Sequence, residues 1–368
     1  MILAVMTDSI QGADLHKPDP ATYNNPTMKA IAYGIAAPNP HNTQSWFVDT
    51  LGNGDMLLFA KHVLPATDPP ARQIFIGAGC FIESMRIGMS AEGFQTEVEF
   101  LPEGNATMSP GKLSSKPLAK ITLVKNDETV KDILYDFIYE RQSNRRPYKG
   151  KMITENEFAT IKELVGPTHA EMIFITGESA IAPYLDFFSK ALAIETRTNA
   201  TNEETRKLFR FSESQREEKK DGLCLQTQGM DGLLGNFVER WILKSGDSTT
   251  WHSKQSFKST MKTIDKAIYS AKGVVMFKTA TNDQIDWLKT GRDFLRYNLV
   301  VAKLGLATSH YNQVIQEYSE MQPLQKEFDA LTGTGGDGKI QLILRIGRAK
   351  PVPYTSWRKD VDSFIVPG

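Results

Sequence analysis

Pro38 and Pro40 stand two residues apart at the end of a helical pattern, and they dictate the path of the chain beyond it. Met28, Ile31, Ala32 and Ile35 repeat at i, i+3, i+4 and i+7, one apolar helix face over Met28–Ala37. A proline has no N–H to donate and pushes its predecessor toward extended backbone, so Ala37-Pro38-Asn39-Pro40 cannot continue the helix. The chain leaves through a polar loop into a strand at Ser45–Val48. The same order returns as a helix at Glu155–Val165, a break at Gly166-Pro167-Thr168-His169 and a strand at Met172–Ile175. That recurrence predicts an internal duplication, with halves at 1–124 and 125–368.

Other segments fill the frame. Trp46–Val48 and Met56–Phe59 are short strands flanking a Gly52-Asn53-Gly54 turn, Ile74–Ala91 is a buried helix and Ile121–Val124 is a strand. Asp127–Glu140 has the clearest helical stripe in the chain, Val130, Ile133, Leu134, Phe137 and Ile138, with Asn126 or Asp127 as N-cap. Later come a strand at Val274–Phe277, a helix at Trp287–Leu304 closed by Gly305, and an alternating strand at Ile340–Ile346. The second half also carries an insertion near 199–250, with a charged, helix-compatible stretch at Asn199–Lys220 and a glycine-rich apolar one at Asp221–Gly235. A solvated helix and loop, or a lid over a site, both fit it. Helices and strands interleave without regular βαβ spacing, so the expected class is α+β.

Composition removes several functions. Lys plus Arg and Asp plus Glu are 43 each, which leaves no net positive charge for a phosphate backbone, and no nucleic-acid partner is expected. Met1–Ser9 is too short for a signal peptide and no stretch is apolar enough to span a bilayer, so a soluble, cytoplasmic protein is expected. Cys80 and Cys224 read as buried thiols, and the six histidines lack metal-ligand spacing. Gly333–Lys339 satisfies GxxxxGK, but the pattern places a helix before it and a strand after it, with Ile340 where Ser or Thr is needed. It reads as a surface connection.

Two clusters look chemical. In Pro38-Asn39-Pro40-His41-Asn42-Thr43-Gln44-Ser45-Trp46, the amides of Asn39, Asn42 and Gln44 offer the paired donors and acceptors that a heterocycle edge needs. An ordinary Asx-rich turn entering a strand accounts for the same residues. In Arg141-Gln142-Ser143-Asn144-Arg145-Arg146, three guanidinium forks with a hydroxyl and two amides suit a phosphate. A solvated helix C-terminus, where cations meet the dipole, explains them too.

Together and in order, the clusters resemble a known family. Ala37-Pro38-x-x-His41-Asn42-x-Gln44-x-Trp46 and Arg141-x-Ser143-x-Arg145 are similar to two motifs of the FMN-dependent nitroreductase superfamily. The mid-chain position of the second resembles that superfamily's fused, double-length Acg-like branch. Gly291-Arg292, Lys303-Leu304-Gly305-Leu306 and Leu344–Ala349 extend the likeness over about residues 28–360.

The resemblance implies a nitroreductase-like fold folded back as an intrachain pseudo-dimer, with central mixed or antiparallel sheets flanked by helices. It implies FMN held by Arg141 and Ser143 at the phosphate and ribityl chain and by Arg145 near N1 and O2, with Gln142 also among the cofactor-binding residues. Pro38, Asn39 and Asn42 would line the isoalloxazine from the other half, Pro40 and Gln44 would also belong to the cofactor site, and Arg358 matches a C-terminal phosphate-binding position. No arginine occurs in the first 27 residues and Gly166–Glu171 lacks an asparagine, so one FMN per chain is expected. The fused interface predicts a monomer. The implied chemistry is hydride transfer from NAD(P)H through FMN N5 to an electron-poor acceptor, a nitroaromatic or quinone, with no catalytic side chain. A rival reading is a protein that stores FMN beneath its lid without turning over.

Overall fold

The strands form two four-stranded sheets in this computed structural model, which describes residues 16–230, 235, 238–239, 243, 246–334 and 338–366; burial alternates along β1 and β2 but is nearly continuous along β6 and β8. In the first sheet β1 (Trp46–Thr50), β2 (Met56–Ala60), β3 (Phe94–Phe100) and β4 (Ala119–Lys125) lie in the order β1-β2-β4-β3. In the second, β5 (Glu171–Ile175), β6 (Val274–Thr279), β7 (Ala307–His310) and β8 (Lys339–Gly347) lie in the order β5-β6-β8-β7. Every pairing is antiparallel, so the sheets are antiparallel rather than mixed.

The helices repeat the same scheme. α1 (Pro26–Ile35), capped by Asn25 and started by Pro26, precedes β1. α3 (Glu155–Val165), closed by a Thr154–Glu157 capping box, precedes β5. The long helix α2 (Arg72–Ser90) joins the second strand to the third in the first sheet. The other sheet opens its second half with an insertion: α4 (Glu178–Arg197), α5 (Asn199–Leu208), α6 (Glu213–Lys219), α7 (Ser248–Trp251) and α8 (Lys254–Ile268). Only then come β6 and the long α9 (Gln284–Lys303), the counterpart of α2; α10 (Gln322–Thr332) precedes β8.

The two long helices cross at glycine. Gly79 and Gly291 are each the eighth residue of their helix, and each faces a carbonyl from the fifth residue of the other. A Cβ on Gly79 would sit 2.0 Å from the Leu288 oxygen, and one on Gly291 would sit 2.1 Å from the Ile76 oxygen. The Cys80 thiol donates to the Gly291 carbonyl at 3.1 Å. Around this crossing Phe75, Trp287, Phe294 and Tyr297 bury the largest shared core.

The helix expected at Asp127–Glu140 is not formed; only a single 3-10 turn occurs, at Tyr135–Phe137. Local side chains take the backbone instead. Asn126 accepts from Glu128 N at 3.0 Å and Asp132 accepts from Leu134 N at 3.0 Å, the i to i+2 bonds with which Asn and Asp compete against helix. Asp132 is also held by Arg296 of α9 at 2.8 Å. Leu134 and Ile138 are buried, whereas Val130 is 84% exposed. Strands β3 and β7 and helices α4 and α8 were not read from the sequence. The glycine run before β8 does follow a helix and precede a strand, although Gly335–Asp337 lie outside the described residues, as do Met1–Ser9 and parts of 231–245.

Overpacking at the crossing is predicted to be costly. Gly291→Ala should destabilise the chain by about 1–3 kcal/mol or more in urea unfolding. Gly52→Ala, where nothing lies within 4 Å of the added carbon, should change stability little by comparison.

Candidate functional site

The loop between α1 and β1 is held in an unusual backbone conformation. His41, Asn42 and Gln44 have φ of 49°, 54° and 50°, the left-handed region that non-glycine residues seldom adopt. Its amides are spent internally. Asn39 accepts from Gln44 N at 2.8 Å, and Asn42 donates to the Trp357 carbonyl at 3.1 Å. Gln44 donates to the Lys220 carbonyl at 2.8 Å and accepts from Lys359 N at 2.9 Å. Gly77 of α2 leaves room for the loop, since a Cβ there would lie 3.2 Å from Pro40 Cδ. Pro38 is buried, and Pro40 is half-buried in a 3-10 turn.

Arg358 clamps this loop to the end of α1. It donates from Nε to Ile35 O at 3.0 Å and from a terminal nitrogen to Ala37 O at 3.3 Å, and it bonds the Asn42 side-chain oxygen. These carbonyls close a helix C-terminus, where a cation is favoured.

The Arg141–Tyr148 segment is fixed by backbone and amide bonds. Asn144 N donates to Thr308 O at 2.9 Å, and Arg345, stacked 3.7 Å from the Tyr148 ring centroid, donates to the carbonyls of Asn144 and Arg146. Gln142 exchanges two 2.8 Å bonds with the backbone of Val352, so it pins the C-terminal segment. Ser143 is half-buried beside it. Arg145 donates to Thr227 O at 3.1 Å, a contact with the insertion.

Residues 220–229 and 350–359 therefore lie between the two clusters. Gly222 N donates to Asn42 O at 3.2 Å, and ion pairs Lys220–Asp360 and Lys359–Asp221 join the insertion to the C-terminal segment. A small cavity of about 10 Å³ remains, lined by Asn42, Cys224, Thr227, Tyr354 and Trp357. Against Asn39, Pro40, Trp46 and Gly77 the packing leaves no water-sized space.

The electrostatics are one-sided. Burial pushes Arg141 down to about 10 and Arg358 down to about 9, and Arg141 lowers Arg358 further. Both stay charged at neutral pH. Burial also lowers Lys17, with Arg358 and Arg141 adding to the effect. His41 falls to about 4 through burial and Arg145, and His310 to about 3 through burial, Arg145 and Arg141. No carboxylate is among the groups that shift these residues. Arg141 Nε and His41 Nδ1 are buried without a hydrogen-bond partner among the described residues.

The structure thus brings Arg141, Arg145, Arg358, Asn42 and His41 into one neighbourhood, while it commits Gln142, Asn39 and Gln44 to holding loops. Sequence reading missed Lys17, whose signal was present: it is the single Lys or Arg among the first 27 residues, where only an arginine was sought. His310, alone at a strand end, gave no pattern. Among the described residues no group of three or more His, Cys, Asp or Glu is placed to hold a metal, and no helix is long and apolar enough to cross a membrane.

Gln44 should act as a latch. Gln44→Ala leaves Lys220 O and Lys359 N without their partner, so stability should fall by about 1–3 kcal/mol, and limited proteolysis should cut near 220–229 sooner than in the wild type.

No protein-family model matches the chain. An uncharacterized Mycobacterium tuberculosis protein, Rv3127, is 26% identical over 128 residues, 33% of this chain and 36% of the relative. The provisionally named NAD(P)H nitroreductase acg of the same organism is 26% identical over 106 residues, 28% of this chain and 32% of the relative. The matched region spans about a third of these relatives. Among solved structures, the FMN and NADPH-dependent nitroreductase NfnB from Sphigopyxis sp. strain HMH is 15% identical, covering 64% of this chain and 98% of that one at a TM-score of 0.38. A nitroreductase-like family protein from Bacillus cereus is 14% identical, covering 64% and 95% at 0.36. The proteins this chain is similar to are nitroreductases and their relatives, FMN-dependent ones among them.

Proposed function

We propose that the chain binds one FMN between the Pro38–Trp46 loop and the Arg141–Tyr148 segment and serves as a nitroreductase-type oxidoreductase. The observation that carries this reading is the buried group of Lys17, Arg141 and Arg358, on which no carboxylate acts among the described residues. Buried cations persist where an anion completes them, and a phosphate ester suits guanidinium forks. When bound, FMN would supply hydride transfer between NAD(P)H and an electron-poor acceptor such as a nitroaromatic or quinone.

The chain's own contributions are positional. Arg141 and Arg358 neutralise a phosphate, with Ser143 beside them. Arg145 places positive charge next to the Asn42 loop, where a flavin pyrimidine edge gains charge on reduction. Neutral His41 and His310 add no competing charge at neutral pH. The repeated sheet order and the glycine crossing support two half-length repeats, 1–124 and 125–368, packed as a soluble, monomeric pseudo-dimer. The counterpart of the site in the other half has a different character: His169 bonds Asp286 at 2.6 Å, and Ala170 N bonds Asp293 at 2.8 Å. Acids there disfavour a second phosphate.

The contacts of Thr227 with Arg145 and of Gly222 with Asn42 favour a second reading, that the insertion covers a stored flavin. The two separate on one measurement. Purified protein should be yellow, and NAD(P)H with a quinone or nitro compound should bleach and reoxidise it; a yellow protein that NAD(P)H leaves unbleached is a store.

Stoichiometry and affinity test the site itself. Apo-protein should saturate at one FMN per chain, and two would overturn the single site. Arg141→Ala should weaken FMN by about 1.5–3 kcal/mol, roughly ten- to a hundredfold, measured by fluorescence quenching; unchanged affinity would remove Arg141 from the site.

A further inference from the structure

Lys17 lies outside both sequence clusters, yet it is among the most enclosed lysines described, 8% exposed. Its position is fixed from the C-terminal side. Arg358 N donates to His16 O at 2.9 Å, and the His16 ring stacks on Trp357 with centroids 3.8 Å apart. The ammonium of Lys17 lies 5.6 Å from the ring centroid of Tyr139, a buried phenol whose own pKa burial raises, so it stays neutral. The charged groups that act on Lys17 are Arg358 and Arg141, and both repel it.

Three segments distant in sequence, at residues 17, 141 and 358, thus deliver three like charges to one buried place. Arg358 spends much of its fork on Ile35 O, Ala37 O and Asn42. Arg141 Nε has no hydrogen-bond partner among the described residues. Packing does not require such an arrangement, because an apolar side chain of similar length would fill the Lys17 position without repulsion. A dianion that accepts from all three reverses the sign of every pairwise term.

We infer that Lys17 completes, with Arg141 and Arg358, an enclosed site for a phosphate anion, either orthophosphate or the terminal group of a phosphate monoester. The identity of the ester rests on the flavin reading, whereas the anion site stands without it. Enclosure adds specificity. An enclosed site would take a terminal monoester in preference to a phosphate continuing into a second phosphate, and an alcohol without phosphate would leave the cations unpaired. FMN should therefore bind more tightly than riboflavin or FAD.

The test uses full-length apo-protein, wild type and Lys17→Met, with Lys17→Gln read in the same way should the methionine variant not fold. Thermal unfolding with sodium phosphate is measured beside fluorescence titrations with FMN and riboflavin. Orthophosphate should stabilise the wild type saturably, and Lys17→Met should lose that response. The variant should also bind FMN roughly ten- to a hundredfold more weakly, with riboflavin affinity unchanged. A wild type indifferent to orthophosphate overturns the inference. So does a variant that keeps wild-type FMN affinity, or one that loses FMN and riboflavin alike, which marks a packing role. A wild type that takes orthophosphate through Lys17 but refuses FMN upholds the anion site and defeats the flavin reading instead.

Discussion

The close crossing of α2 and α9 sets the distance on which everything else depends. Two helices approach until each lays a carbonyl against the other's glycine, and no side chain fits between them. The contact is self-complementary, since the same helical positions meet on both sides, as in a two-fold interface between subunits. Here covalent connection makes the two partners one chain. The same helix α2 also seats the loop leaving α1, since a Cβ at its Gly77 would lie 3.2 Å from Pro40. The carboxyl end of α1 then faces Arg358, and the Arg141–Tyr148 arm runs past Cys80 at the crossing.

That geometry also explains what the site costs. Left-handed backbone at His41, Asn42 and Gln44 represents roughly 1–3 kcal/mol of strain at each residue, and the buried guanidinium groups give up hydration that the described residues only partly replace. Both penalties are met by the same few atoms. Arg358 bonds the strained loop through Asn42 and the helix end through Ile35 and Ala37, so the cation that needs partners supplies the restraint that the loop needs. Strain and charge are thus concentrated in one place rather than scattered, which is the pattern on which the proposed ligand site rests.

Legibility in the sequence tracked how local each cause was. Helix Glu155–Val165 was readable to the residue because its capping box and terminal glycine lie within its own span. The strands flanking Gly52-Asn53-Gly54 were readable because a tight turn and alternation are local signals. Asp127–Glu140 misled because a stripe of five apolar residues outweighed Asn126 and Asp132, and the deciding partner of Asp132 is Arg296, over 160 positions away. β3 was missed because its burial alternates only weakly, intermediate against exposed. In the site, motif residues could be found but not sorted. Gln142 and Arg141 are neighbours in sequence, yet one grips the backbone of Val352 and the other points into an unpaired cation group, a distinction made by the fold alone.

The asymmetry between the halves has a simple origin in topology. In the first sheet β1 and β2 are joined by a turn of a few residues, Leu51–Asp55. At the equivalent place in the second sheet, between β5 and β6, the chain inserts α4 through α8. A hairpin connection tolerates such length because closing a longer loop adds little entropy, and the β5–β6 register is kept. The insertion leaves the second half but lands on the first half's loop, at Asn42 and Gln44, and on Arg145 of the arm. One repeat can therefore keep the strained loop while the other supplies both the cationic arm and the cover over it. The insertion reaches that loop and the C-terminal segment through backbone bonds and ion pairs such as Lys220–Asp360, which are partly exposed and individually weak. Its apolar residues Phe209, Phe211 and Leu225 pack with one another instead, so the two halves meet there through polar contacts rather than through a shared core.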